Sequence, residues 1–151
     1  MKIFTLDEAQ SLLPVLDSLL ARAIESKEAA EAVNDELSAV ARRIHLAGGM
    51  SINVAQVAAR RADLEKHIER ARETVGEIDE IGVQVKDLDA GLLDFPCRVE
   101  DEIVLLCWKR GEKAIEHWHT VESGFQGRKP IDDRFRRRNG AENSGPATRP
   151  N

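Results

Sequence analysis

The chain has no tyrosine, and only 4% of its residues are aromatic. With so few rings, those present mark places where packing shape is specified rather than merely filled. Cysteine is as scarce: Cys97 and Cys107 are the only two. Two cysteines exclude a disulfide framework, and no secretory leader pattern opens the sequence, so a reduced, cytoplasmic setting is expected. Long apolar runs are missing too. The longest, Ile103 to Trp108, falls far short of a bilayer span, which excludes a membrane partner of that kind. The body also lacks basic charge. Residues 1–80 carry 10 Lys and Arg against 15 Asp and Glu, and residues 81–127 carry 5 against 9. Such a body repels a polyanion, which argues against a nucleic-acid surface there. Residues 128–151 reverse the sign, with 7 basic against 3 acidic, so any nucleic-acid contact belongs to the Arg134-Phe135-Arg136-Arg137-Arg138 run of the tail.

Helical periodicity is plentiful. Thr5-Leu6-Asp7-Glu8 reads as a capping box, in which the Thr5 hydroxyl and Glu8 carboxylate each accept from the other's backbone N–H. Leu12, Leu16, Leu19, Ala23, Ser26, Ala30, Val33, Leu37, Val40 and Ile44 then repeat at spacings of four and three, with Pro14 expected to kink or restart the helix. Leu46-Ala47-Gly48-Gly49 ends it. Ser51 or Asn53 caps a second helix, whose seam reads Val54, Val57, Arg61, Leu64, Ile68, Ala71, Val75 and Ile78. Two such helices joined by a short glycine turn should run antiparallel.

From Gly82 the period changes. Val83-Gln84-Val85 alternates, Asp89-Ala90-Gly91 is a turn signal, and Leu92-Leu93-Asp94-Phe95 leads into Pro96, which should confine its strand to an edge or end there. Ile103 to Trp108 is a β-favourable run after the acidic turn Glu100-Asp101-Glu102. The expected fold is therefore α+β: a long, coiled-coil-like antiparallel two-helix hairpin packed at its base against a small three-stranded antiparallel meander with a short C-terminal helix over Gly111–Val121. Residues 1–131 form one domain, with the hairpin over 5–46 and 52–80 and the meander, short helix and glycine-flanked loop over 82–131. Residues 132–151 are expected to be a basic, largely disordered tail.

Both tryptophans fall between Cys107 and Arg128, beside His117, His119 and the loop Gly124-Phe125-Gln126-Gly127-Arg128. Trp108, Trp118 and Phe125 read as a packing junction, with Phe125 plugging the core. Glu112, Glu116, His117, His119 and Glu122, with Asp87, Asp89 and Asp94 on the sheet, form a first constellation; on a helix, Glu112, Glu116 and His119 would share a face, and a Glu-x-x-His pair is one way a bundle presents a divalent metal. The alternative is an exposed charged helix with His119 hydrogen-bonded under the tryptophans. Arg128 could clamp a carboxylate or phosphate, or could form an internal salt bridge to Asp87, Asp89 or Glu112. Asp87, Asp89, Glu112, His119 and Arg128 thus make the candidate polar site. Cys107, inside an apolar run, reads as a buried packing residue rather than a nucleophile. His45 and His67 read as solvated helix residues.

Val85-Lys86-Asp87-Leu88-Asp89, Gly91-Leu92, Asp94-Phe95-Pro96, Leu106-Cys107-Trp108, Gly111-Glu112, Trp118-His119 and Gly124-Phe125-Gln126-Gly127-Arg128 together resemble the bacterial domain-of-unknown-function family 2203. The resemblance runs from Phe4-Thr5-Leu6 through Ile131. It implies the family's fold and brings no activity with it. Among similar sequences an acidic residue often stands where this chain has Thr120. The functional expectation is a self-associating, cytoplasmic binding or interaction module, a homodimer or the companion of another protein, with a small polar site at the hairpin base. The rival is a metal-dependent or acid–base enzyme using Glu112 and His119, with a divalent metal as cofactor.

Overall fold

A computed structural model describes residues 1–48 and 52–136. The architecture is α+β. Two long helices, α1 (Leu6–Leu46) and α2 (Val54–Ile81), pack against each other as a hairpin. They are followed by a five-stranded antiparallel sheet of β1 (Gln84–Asp87), β2 (Leu92–Val99), β3 (Glu102–Lys109), β4 (His117–His119) and β5 (Lys129–Pro130). The sheet is a pure meander, in spatial order β1-β2-β3-β4-β5. A short C-terminal helix begins at residue 133. The chain divides into two compact units: a sheet unit, Met1–Ser18 with Glu77–Asn151, and a hairpin unit, Leu19–Gly76.

In the sheet unit the capping box forms as expected. The Glu8 N–H donates to Thr5 Oγ1 at 3.1 Å, and the Thr5 N–H to Glu8 Oε1 at 2.9 Å. Pro14 does not interrupt α1, which continues through it as one helix. Its missing N–H leaves the Gln10 carbonyl without a helical donor, a local cost that the flanking turns absorb. Strand alternation separates two faces of the sheet. One carries Leu93, Phe95, Val104, Leu106, Trp108 and Trp118, all buried. Phe95 meets Phe4 edge-on, with ring centroids 5.7 Å apart. Both indole N–H groups are satisfied, Trp108 by the Glu112 carbonyl and Trp118 by the Pro130 carbonyl.

Pro96 lies in the middle of β2, paired with Leu105 of β3. The expected edge placement holds in a local sense, because β1 pairs only with residues 92–94 of β2. Beyond Asp94 no strand among the described residues pairs with the far side of β2, so no ladder donor is lost at the proline. The Pro96 carbonyl instead accepts the Phe4 N–H at 2.7 Å. The acidic turn is a tight connection with both Glu100 (φ 51°) and Asp101 (φ 68°) left-handed, the conformation that matches the twist of the hairpin it closes.

Two expectations fail here. Gly111–Val121 is not a helix. It forms a turn and then β4, which pairs with β3 through Leu105–His119, Leu106–Trp118 and Cys107–His117. The meander therefore has five strands rather than three, and the helical face shared by Glu112, Glu116 and His119 does not exist. The boundary at 132 also moves. Phe135 is buried, with its ring 5.6 Å from that of Trp118, so the chain around it is packed rather than a solvated tail. The remainder of the expected tail, residues 137–151, lies outside the described residues.

In the hairpin unit the α1 seam is as read. Leu19, Ala23, Ser26, Ala30 and Val33 are buried, and Leu37, Val40 and Ile44 are half-buried. Asn53 caps α2, its Oδ1 accepting the Gln56 N–H at 3.0 Å; Gly49 and Ser51 lie outside the described residues. The α2 seam is rotated from the expected one. Thr74 is buried, with its hydroxyl returned to the Arg70 carbonyl at 2.8 Å, whereas Arg61, Val54 and Ile68 face outward. Arg60 bridges Glu36 and Asp63, at 2.8 Å to each. The hydrogen bonds from Arg60 hold the Glu36 carboxyl below its ordinary range.

Candidate functional site

The second face of the sheet is polar where it is most buried. Asp94 on β2 stands directly opposite Cys107 on β3, and Cys107 opposite His117 on β4, so their side chains share this face. His119, two residues along β4, returns to it. Asp94 is 1% exposed, Cys107 0% and His119 3%. One oxygen, the sulfur and one ring nitrogen of this trio lie within 4.8 Å of one another.

The hydrogen bonds fix the imidazole. Nδ1 lies 2.8 Å from the Thr120 carbonyl, which can only accept, so Nδ1 carries a proton. Nε2 then faces Asp94, 3.1 Å from each carboxylate oxygen. One proton occupies this second contact whether it is drawn on the imidazolium or on the carboxyl, and the pair is neutral either way. A lone buried carboxylate would be expensive; the imidazole is what makes Asp94 tolerable inside the sheet. Burial, reinforced by the Asp94 charge, pushes the Cys107 thiol up to about 12. Cys107 is thus not an activated nucleophile, in line with its sequence context. Both cysteines are buried, and neither is in a disulfide.

Thr120 to Arg128 folds over this face. The loop begins with a Thr120–Ser123 turn, in which the Ser123 N–H donates to Thr120 Oγ1 at 3.1 Å. Gly124 follows at φ 68° and ψ −170°, a combination open essentially to glycine alone, and leads into a single 3₁₀ turn, Phe125–Gly127. Between loop and sheet lies a cleft of about 280 Å³, lined by Leu92, Leu105, Val121 and Phe125 with Asp94, His119 and Lys86.

The residues singled out in the sequence are distributed otherwise than expected. Glu112 and Arg128 do meet: Arg128 Nη2 lies 2.9 Å from both Glu112 oxygens, and Glu112 Oε1 also accepts the Lys109 N–H. Of the open alternatives for Arg128, the internal salt bridge to Glu112 is the one formed. Phe125 does not plug the core. It is 40% exposed, with the Arg128 guanidinium stacked 4.7 Å from its ring centroid, and Phe135 occupies the core beside Trp118. Asp87 and Asp89 are exposed at the β1–β2 turn, where Asp87 Oδ1 accepts the Ala90 N–H, and neither lines the cleft. Glu116 is exposed on the approach to β4. The metal set Glu112, Glu116 and His119 is therefore not assembled, because Glu112 is engaged by Arg128 and His119 by Asp94. Among the described residues, the buried atoms His117 Nδ1 and Arg128 Nε have no hydrogen-bond partner. A larger hollow of about 470 Å³ lies between the first turns of α1 and the 108–114 turn, but its carboxylates are both committed, Asp17 to Arg110 and Glu112 to Arg128.

Sequence reasoning set Asp94 among the sheet carboxylates around His119 without singling it out as the partner, and read Cys107 as a packing residue only. The signal was available in Leu92-Leu93-Asp94-Phe95-Pro96-Cys97, where a carboxylate interrupts an apolar strand and so demands a partner.

The family model described as "Uncharacterized conserved protein (DUF2203)" matches residues 2–131. No curated protein and no solved structure gives a significant match to the chain.

Proposed function

The chain belongs to the DUF2203 family, and we propose that it is a binding module whose ligand site is the cleft over Asp94 and His119. One observation carries this reading: apolar walls from Leu92, Leu105, Val121 and Phe125 converge on a single buried polar pair, with Lys86 beside them. Small-ligand sites are built this way, with apolar surface supplying burial and a few fixed polar groups supplying orientation. Lys86 favours a ligand with an anionic group, held at the opposite end by the Asp94–His119 pair. The rival acid–base reading with Glu112 as partner of His119 loses its support, since each is occupied elsewhere.

Titration of isotope-labelled protein with inorganic phosphate and with acetate, followed by amide chemical shifts, tests the reading. Saturable shifts confined to Lys86, Leu92, Leu105, His119, Val121 and Gly124, and abolished by Lys86→Glu, are expected. Shifts that never saturate, or that scatter over surface lysines and arginines, would sink it.

Self-association of the hairpin is the second reading. Its support is the half-buried seam at Leu37, Val40, Ile44 and Leu64, together with outward-facing Val54 (72% exposed) and Ile68 (41% exposed). Light scattering of the same samples across a dilution series should give a dimer; a monomer at every concentration removes this reading. Among the described residues no helix is long and apolar enough to cross a membrane, and a cytoplasmic setting accords with two cysteines that form no disulfide.

A further inference from the structure

We propose that Asp94, Cys107 and His119 bind one divalent cation of the zinc class, each giving one ligand atom and leaving the remaining position open to the cleft. This inference rests on the cleft being the ligand site.

The first argument is geometric. The three donors already lie within 4.8 Å of one another and come from three adjacent strands, so the sheet ladder holds them and little rearrangement is required. The second is the orientation of His119. Its Nδ1–H is committed to the Thr120 carbonyl, which leaves Nε2 directed at Asp94. A metal-bound histidine typically donates its other ring N–H to a carbonyl or carboxylate, which sets both tautomer and ring direction.

The third argument is charge. A thiolate, a carboxylate and a neutral imidazole carry two negative charges, which a divalent ion cancels within the buried set. The neighbouring Arg128–Glu112 pair is neutral by itself and neither adds to that balance nor subtracts from it. On binding, the thiol proton and the proton between Asp94 and His119 leave to solvent, and the metal takes their place.

The ligand types select the metal. One sulfur and one nitrogen do not suit calcium or magnesium, which take oxygen donors, but they do suit zinc. Three protein ligands with one open position is the arrangement of zinc sites that take up an exogenous ligand. In this chain the open position would accept a donor atom at the inner end of a ligand entering past Val121 and Phe125, the end opposite the anionic group that Lys86 favours.

The test uses full-length, untagged, metal-free protein, with zinc chloride and cobalt(II) chloride as probes. One equivalent should bind, and the cobalt form should show a thiolate-to-cobalt charge-transfer band. Cys107→Ser, close in shape and checked for retained helix content, should abolish the band and weaken zinc binding by at least about tenfold, the lower bound expected even for loss of a supporting contact. His119→Ala is not relied upon, because it strands Asp94 and would damage the fold. Folded wild-type protein that binds neither probe, or a Cys107→Ser variant that binds both unchanged, overturns the proposal. The two readings fail separately. Saturable phosphate or acetate binding by protein that takes up no metal keeps the cleft and removes the cation. Stoichiometric, Cys107-dependent metal binding without any anion response keeps the cation and removes the anion-binding cleft.

Discussion

The sheet unit and the hairpin unit solve the problem of burying side chains in opposite ways. The hairpin buries small residues along a narrow seam, Ala23, Ser26, Ala30 and Val33, and towards its tip this thins to half-exposed Leu37, Val40 and Ile44. Its buried polar residues are the small Ser26 and Thr74, and the Thr74 hydroxyl is satisfied within its own helix. The sheet unit instead buries an acid, a thiol and an imidazole together, and can do so because the β2–β3–β4 ladder fixes their positions in advance. Regular local structure tolerates no unpaired charge, so the hairpin keeps its charges outside; a sheet covered by a loop can hold a charge pair out of water. Buried ionisable side chains are therefore concentrated where contacts are non-local.

The comparison can be strained at three points. His119→Ala should have the largest effect, costing about 3–5 kcal/mol because Asp94 is left buried without its imidazole. Urea unfolding measures it, and Asp94→Ala combined with His119→Ala should cost less than the two single changes added together. A loss within error of zero would mean that the pair is not buried as described. In the hairpin, Leu64→Ala removes a half-buried side chain and should cost only about 1 kcal/mol. An effect as large as that of His119→Ala would show that the seam is covered in solution, in support of self-association.

The smallest effect concerns acid. Glu36 has its folded value lowered by Arg60, so its contribution is present above the unfolded value and is lost as pH falls through the folded one. Protection of the α2 amides, corrected for the intrinsic pH dependence of exchange, should fall over that acid interval, and Glu36→Gln should flatten the dependence by lowering neutral-pH protection slightly, to the level the unsubstituted chain reaches in acid. An identical acid profile in the variant would remove Arg60–Glu36 as a contributor.

How far the sequence foretold these features follows the same division. The α1 seam and both caps were legible because each depends on residues within a turn or two of one another: Thr5 with Glu8, Asn53 with Gln56, and the steady recurrence from Leu12 to Ile44. The α2 register was less so. Arg61 and Ile68 fit the spacing, yet the helix turns Thr74 inward and Ile68 outward, a choice made by its partner helix. β1, β2 and β3 were readable as runs. β4 was not, since three residues carry almost no pattern and His117–His119 is a strand only because β3 lies beside it. The Asp94–Cys107–His119 trio was hidden for a related reason. Its members are 13 and 12 residues apart, and only the ladder register turns those intervals into contact. Phe125 and Phe135 show the opposite hazard. Glycine neighbours suggest a ring fixed in the core at Phe125, and arginine neighbours suggest a solvated one at Phe135, whereas burial runs the other way.

The scarcity of aromatic residues has an optical consequence. Phe4, Phe95, Trp108, Trp118, Phe125 and Phe135 all belong to the sheet unit, and Leu19–Gly76 contains no aromatic side chain. Tryptophan fluorescence and near-ultraviolet dichroism therefore observe the sheet unit alone, whereas far-ultraviolet dichroism is dominated by the two long helices. The molecule comes with its halves labelled in different spectral channels. Coincident melting curves in the two channels would mean one cooperative transition, and separated curves would mean that the hairpin unravels on its own.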